Sequence, residues 1–181
     1  MIIKTETIHL KSDLKLVLRS PEDRDAKDIL SYLKTVTGET RFLLRYPFEC
    51  SEDQEAEVAF ILSINKEDHQ AMILATIHDE IVGICNVGLK TKLKIMHRAT
   101  LGISVKKQYW GLGIGSILMD QMIVLAQRFG AERLELEVIE GNDRAIILYL
   151  SKGFQFASEL KEAIKETDGT YYSEFVMTKA L

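Results

Sequence analysis

The segment QYWGLGIGSILMDQM, Gln108 to Met122, alternates Gly111, Gly113 and Gly115 with Leu112 and Ile114 before turning strongly apolar. Just upstream, HRATLGISV reads as a strand over Ala99 to Val105. Just downstream, Ile114, Ile117, Leu118, Met122, Leu125 and Phe129 share one side of a helix that Gly130 stops. The start of a helix exposes unpaired N–H groups and a partial positive charge, and glycines let that backbone come close to a ligand. The combination suits an anion, above all a phosphate. The bland alternative is a tight strand-to-helix turn that needs glycine for positive φ.

Three phosphate-binding patterns compete for this segment. A P-loop needs Gly-Lys-Ser/Thr, whereas the chain reads Gly113-Ile114-Gly115-Ser116, with no such lysine. A dinucleotide fingerprint starting at Gly111 needs Gly or Ala where Ser116 stands, and belongs in a first βαβ unit rather than after several strands. Glu135 falls at a suitable distance for its ribose contact, but a surface glutamate on a strand explains it equally. The third pattern fits best. VKKQYWGLGIGSIL resembles the acyl-CoA signature of the GNAT family of N-acetyltransferases, Arg/Gln-x-x-Gly-x-Gly/Ala after a strand ending in valine. Gly113 and Gly115 take the two glycine places, and Trp110 stands where the family has Arg or Gln. Downstream, LELEVIEGNDRAIILYLSKGF is similar to the family's second conserved block: a strand, then Asn142, Ala145, Tyr149 and Gly153-Phe154. Asn142 and Tyr149 are about two helical turns apart, on one face.

The resemblance implies a single α/β domain over residues 1–181, a mixed, mostly antiparallel splayed sheet flanked by about four helices, with its motif core at 99–156. It implies acetyl-CoA as co-substrate. Pantetheine would pair with main chain around Ile103 to Val105, and the pyrophosphate would rest on N–H groups from Gly111 to Ser116, Gly113 and Gly115 included. Tyr149 is the family's leaving-group acid; its other reading is a core aromatic. Asn142 orients the cofactor or caps its own helix, for which Asn is among the best residues. Thr100 stands where many members carry a glutamate base, which leaves Glu137 acting through water, or His97 with its near-neutral reference pKa. Trp110 is expected only to pack. The acceptor is a primary amine, of a small molecule first and of a protein N-terminus second; a non-catalytic acyl-CoA-binding module is the rival from another class. A homodimer is compatible with family habit.

The remaining elements must position these groups. KLVLR (Lys15 to Arg19) is a strand. Ser20, Pro21, Glu22 and Asp23 then look like a cap and first turn, with Ala26, Ile29, Leu30 and Leu33 on one helical face. Gly38 should end that helix. The loop TGETRFLLRYPFE offers Arg41 and Arg45 to a carboxylate and Glu39 and Glu49 to an ammonium, above Phe42, Leu43, Leu44 and Phe48. A second helix runs from Ser51, with Gln54 completing a capping box, to about Asn65. QAMILATIHDEIVGICNVGLK gives two strands around a turn at His78 to Glu80. RLELEVI is a strand, NDRAIILYLSKG a short helix, and FQFASEL and YYSEFVMT two last strands joined by KETDGT.

Composition bounds the rest. With 46% hydrophobic residues in 181, the chain can bury a core as one domain. A net charge of -4 argues against a general nucleic-acid binder. No apolar run reaches the ~20 residues of a membrane span, and MIIKTETIHLK lacks the marks of a leader, so a cytoplasmic protein with no membrane partner is expected. Cys50 and Cys85 form no framework, and His9, His69, His78 and His97 show no ligand spacing, so neither a disulfide nor a metal is expected.

Overall fold

The computed structural model describes residues 1–11 and 13–181. Eight strands form one sheet in the order β1-β2-β3-β4-β5-β6-β8-β7. They are β1 (Glu6–His9), β2 (Lys15–Arg19), β3 (Gln70–Ile77), β4 (Glu80–Leu89), β5 (Arg98–Val105), β6 (Arg133–Ile139), β7 (Gln155–Lys165) and β8 (Tyr171–Ala180). Every neighbouring pair is antiparallel except β5 and β6. Helices α1 (Ala26–Glu39) and α2 (Gln54–Lys66) join β2 to β3, α3 (Ile114–Arg128) joins β5 to β6, and α4 (Asp143–Ser151) joins β6 to β7. The crossover through α3 is what makes β5 and β6 parallel, since parallel neighbours need such a connection.

The period-2 pattern sorts side chains onto two faces. Ile73, Ala75, Cys85, Val87, Leu134, Leu136 and Val138 bury against Leu118, Met119, Met122 and Leu125 of α3. On the other face Met72, Leu74 and Ile84 bury against Ile29, Tyr32 and Val36 of α1 and Ile61 and Ile64 of α2. The central strands β3 and β4 are covered on both sides, which explains their nearly continuous apolar reading.

Several local expectations change. Strand β1 has only four residues, too few for a period to register, and is held by antiparallel pairing with β2. Ser20 does not cap α1; its hydroxyl accepts a bond from the Ile3 N–H (2.9 Å). The turn before α1 is a 3-10 turn, Asp23–Asp25, in which the Asp25 carboxylate accepts from the Glu22 N–H (2.7 Å) and from both Arg19 nitrogens (2.6 and 2.8 Å). Gly38 lies inside α1 rather than ending it, and Pro47 packs 3.5 Å from where its Cβ would be. Asp53, not Ser51, caps α2, accepting from the Ala56 N–H (3.0 Å). The hairpin turn between β3 and β4 places His78 and Asp79 at φ 50 and 65, the pair of positive values that a two-residue turn requires. Among the described residues no helix is long and apolar enough to cross a membrane.

Candidate active site

Strands β5 and β6 share only three facing pairs, Arg98 with Arg133, Ala99 with Leu134 and Thr100 with Glu135. The Arg98–Glu135 ion pair (Nη2 to Oε2, 2.7 Å) ties this end together. Beyond Thr100 the strands part, leaving a slot between Leu101 to Val105 and Leu136 to Ile139. The main chain bordering it is set by parity. Lys90 N–H bonds Arg98 C=O (2.8 Å) and Lys106 N–H bonds Val82 C=O (2.9 Å), so even-numbered residues of β5 direct their backbone groups to β4. Those of Leu101, Ile103 and Val105 therefore face the slot. One is used already: the Val105 carbonyl accepts from Trp110 Nε1 (2.7 Å).

At the mouth of the slot the chain makes a 3-10 turn, Lys107–Tyr109, and then the glycine loop. Gly111 and Gly113 have φ of 86 and 83. Gly113 is the N-cap of α3, no side chain caps that helix, and nothing lies within 4 Å of where a Gly113 Cβ would be. The first turn of α3, Ile114 to Ser116, carries the N–H groups that a helix start leaves without intrahelical partners, with the positive end of the helix dipole there. Positive φ at Gly111 and Gly113 fits the turn reading of these glycines. Gly115 differs. Its φ is helical, and a Cβ there would sit 3.3 Å from Leu148 Cδ2, so its small size serves the contact between α3 and α4.

Tyr149 lies on α4 and is 7% exposed. Its ring packs against Phe154 (centroids 6.1 Å apart), and burial alone pushes its hydroxyl up to about 12. Among the described residues no hydrogen bond offsets that burial, and the hydroxyl is not a buried unpartnered atom. Asn142 is the N-cap of α4, its Oδ1 accepting from the Ala145 N–H (3.3 Å). The capping reading accounts for that oxygen.

The face of the sheet opposite α3 and α4 carries Thr100, Gly102 and Ser104 of β5, Glu135 and Glu137 of β6, and Glu174 of β8. Glu137 is exposed and faces Glu174 diagonally across β6 and β8. Burial, and then the charge of Glu137, push the Glu174 carboxyl above its ordinary value. The Asn86 Oδ1 lies 2.7 Å from the position of a Cβ on Gly102, so a larger residue there would have to displace the Asn86 side chain. A 340 Å³ cavity opens here, lined by Ile64, Gln70, Asn86, Thr100 and Gly102 among others. A second, of 320 Å³, lies between the 40–47 loop and the β7–β8 turn, lined by Arg41, Leu43, Leu44, Arg45 and Ile164 among others.

His97 is exposed at the closed end of the slot, where its carbonyl takes the N–H groups of Glu132 and Arg133, so it is not placed to act as the base. Of the loop charges, Glu39 accepts from the Lys107 N–H (2.7 Å) and Glu49 from the Tyr46 N–H (2.8 Å). Arg41 lies 3.8 Å over the Tyr172 ring and donates to the Glu140 carbonyl (3.3 Å). Arg45 lines the second cavity, and its charge acts on the Glu57 carboxyl. Sequence reasoning missed Asn86, Arg144 and Glu174. Arg144 stands two residues after Asn142, but only tertiary contact brings it to the glycine loop, beside Gly111. Among the described residues no three His, Cys, Asp or Glu side chains are placed to hold a metal ion. The Cys85 thiol is fully buried, which pushes its pKa up and leaves it inert.

The site thus combines a sheet split between two parallel strands with a glycine-capped helix start beside it. The chain belongs to the acetyltransferase (GNAT) family, whose profile it matches over residues 39–154, and is an acyltransferase of that family. It is similar to the acetyltransferase of GNAT family from Streptococcus pneumoniae, with 28% identity, a TM-score of 0.87, and coverage of 92% of this chain and 99% of that one. It also shares its fold with yncA from Salmonella typhimurium, solved with its cofactor acetyl-CoA (16% identity, TM-score 0.79, 92% of this chain and 94% of that one). A curated relative, the L-amino acid N-acetyltransferase AaaT of Escherichia coli (strain K12), is 27% identical over 108 residues, 59% of this chain. The match spans 66% of that relative, just under two thirds of its length.

Proposed function

We propose that this protein transfers the acetyl group of acetyl-CoA to the primary amine of a small molecule, by direct attack within a ternary complex. The observation that carries the reading is the parting of β5 and β6 beyond Thr100, beside the uncapped start of α3. The residues fit the group: Gly113 leaves its Cβ position open, the N–H groups of Ile114 to Ser116 have no partner among the described residues, and Ile103 and Val105 present main chain along the slot. The names of the relatives agree with it, one an L-amino acid N-acetyltransferase and one solved with acetyl-CoA.

Acetyl-CoA supplies an activated acyl thioester. The cradle from Gly111 to Ser116 would hold its pyrophosphate, and the main chain around Ile103 to Val105, whose Val105 carbonyl is already bonded to Trp110, would pair with its pantetheine amides. The α3 side of the slot would take the cofactor, and the opposite face, with Thr100, Gly102 and Glu137, would be left to the amine. The main-chain N–H near Val105 meets the thioester oxygen as it gains charge. Glu137 takes a proton from the incoming ammonium through water. Losing that proton at pH 7 costs the amine itself about one unit for an α-amine (pKa ~8) and more than three for a lysine (~10.4), so a site whose base is only an exposed carboxylate favours an α-amine. Tyr149 would serve the departing sulfur. With its hydroxyl at about 12 and a thiol near ~8.5, complete proton transfer is uphill by roughly 5 kcal/mol. The hydroxyl therefore acts mainly by donating a hydrogen bond as charge develops on sulfur.

The test is thiol release from acetyl-CoA over a panel of L-amino acids, other small amines and peptides with unblocked N-termini. Turnover confined to small amines supports the reading. Turnover of peptides alone would replace it with a protein N-terminal acetyltransferase. Tight acetyl-CoA binding without turnover on any amine would leave a binding module.

A further inference from the structure

The family signature opens on Arg or Gln, and here that place is filled by Trp110. The indole is not simply packed: its Nε1 is anchored on the Val105 carbonyl at 2.7 Å. Over its ring, 5.0 Å from the centroid, lies the guanidinium of Arg144, which comes from the first turn of α4. An Arg144 Nη2 lies 3.9 Å from where a Gly111 Cβ would be, so the guanidinium borders the glycine loop.

Two further facts need explaining. Arg144 has no carboxylate partner among the described residues, where the ion pairs use Arg19, Arg24, Lys34, Arg98, Lys106 and Lys152. It also sits at the positive end of its own helix, where a cation is unfavourable. Neither ion pairing nor helix stability accounts for an arginine here. An anion in the loop would account for both.

We propose that Arg144 is a pyrophosphate-binding residue of the acyl-CoA site, held in place by stacking on Trp110. The cation is delivered across space from α4, and the tryptophan at the loop position serves as its platform. This rests on the acyl-CoA reading above. The guanidinium fork matches two phosphate oxygens at once, and stacking fixes its plane before the ligand arrives. Main-chain N–H groups of α3 meet the pyrophosphate from one side and Arg144 from the other.

The test is calorimetric binding of CoA and of 3′-dephospho-CoA to the wild type, Arg144→Gln, Trp110→Leu and the double variant, with melting temperatures. Arg144→Gln should weaken both ligands about tenfold or more, with a melting temperature unchanged or slightly raised. Trp110→Leu should weaken both ligands, and the double variant should be little worse than Arg144→Gln, because the two residues act as one unit. Wild-type-like CoA affinity in Arg144→Gln would overturn the proposal. A loss with CoA but none with 3′-dephospho-CoA would also overturn it, moving Arg144 to the 3′-phosphate. A wild type that binds neither ligand would instead sink the acyl-CoA reading itself.

Discussion

Thr100 and Glu135 are the last facing pair of β5 and β6, and one residue further on these parallel neighbours share no pair at all. Glu135 is 9% exposed and bonded to Arg98, so the closed end of the slot is pinned by an ion pair on the face where the amine is assigned.

The two inner glycines of the loop should separate by experiment. Gly113→Val forces a branched residue to φ 83 and fills open space in the cradle, so acetyl-CoA affinity should fall at least tenfold, ~1.4 kcal/mol. Gly115→Val should act mainly through Leu148, lowering the melting temperature by forcing α3 from α4. Calorimetry and thermal melts on both variants check the split. Unchanged affinity in a folded Gly113→Val protein would reduce that glycine to a turn.

Tyr149→Phe keeps the ring against Phe154 and removes the hydroxyl. The expected result is a kcat lowered roughly 10²-fold with acetyl-CoA Kd nearly unchanged. Because burial pushes the hydroxyl up to about 12, it stays protonated throughout the working range. The wild-type kcat should therefore show no fall from Tyr149 between about pH 7 and 10. A variant that keeps more than half its kcat would be a core aromatic only.

Glu137→Gln should lower kcat for an α-amine substrate by roughly 10²-fold at pH 7, with the deficit shrinking as pH approaches the amine's own pKa. Glu174, pushed up by burial and then by the charge of Glu137, should move down once that charge is gone. Rate–pH profiles and carboxyl NMR titration of the two proteins measure these effects. A flat ratio of rates across pH would clear Glu137 of the base role.

Asn142→Ala removes the α4 cap. Stability should drop by about 1 kcal/mol, read as a lower denaturation midpoint. A Kd for acetyl-CoA that worsens beyond this structural loss would return Asn142 to the cofactor site.

Asp25 tests the frame behind α1. Burial by itself would raise its carboxyl, but bonds from Arg19 and the Glu22 N–H, with the charge of Arg19, outweigh it and hold the carboxyl below its usual value. A lowered native pKa means that the pair stabilises fully above the unfolded value, about 3.9, and loses this as pH falls through the native value. Asp25→Asn should thus be less stable at pH 7 by about 1–3 kcal/mol, and the difference should close in acid. Urea midpoints at pH 7 and pH 3 measure it; an equal deficit at both would exclude the ionic contribution.

The local alphabet of this fold was legible in the sequence because its causes are local. Alternation in RLELEVI and the 3.6 period after Ile114 announce a strand and a helix, since each pattern buries one face of its own segment. Gly111 and Gly113 were legible as main-chain devices because few other residues tolerate their φ. The spacing from Asn142 to Tyr149 placed both on one short helix. What the segments could not state is how they meet. Ser20 looked like a cap until Ile3 claimed its hydroxyl, and Gly38 looked like a stop until α1 ran through it. Glu174 reaches Glu137 only because β8 inserts between β6 and β7, an order fixed by burial of the shared core rather than by either strand's own residues. Arg144 and Trp110 belong to different elements, and their stacking exists only once α3 and α4 pack side by side on the sheet. Backbone conformation and amphipathic period are encoded within a few residues, while strand order, the parting of β5 and β6, and the partners of each charge follow from long-range packing. The sequence alone could therefore point to the glycine loop and Tyr149, but not to Arg144 or Glu174.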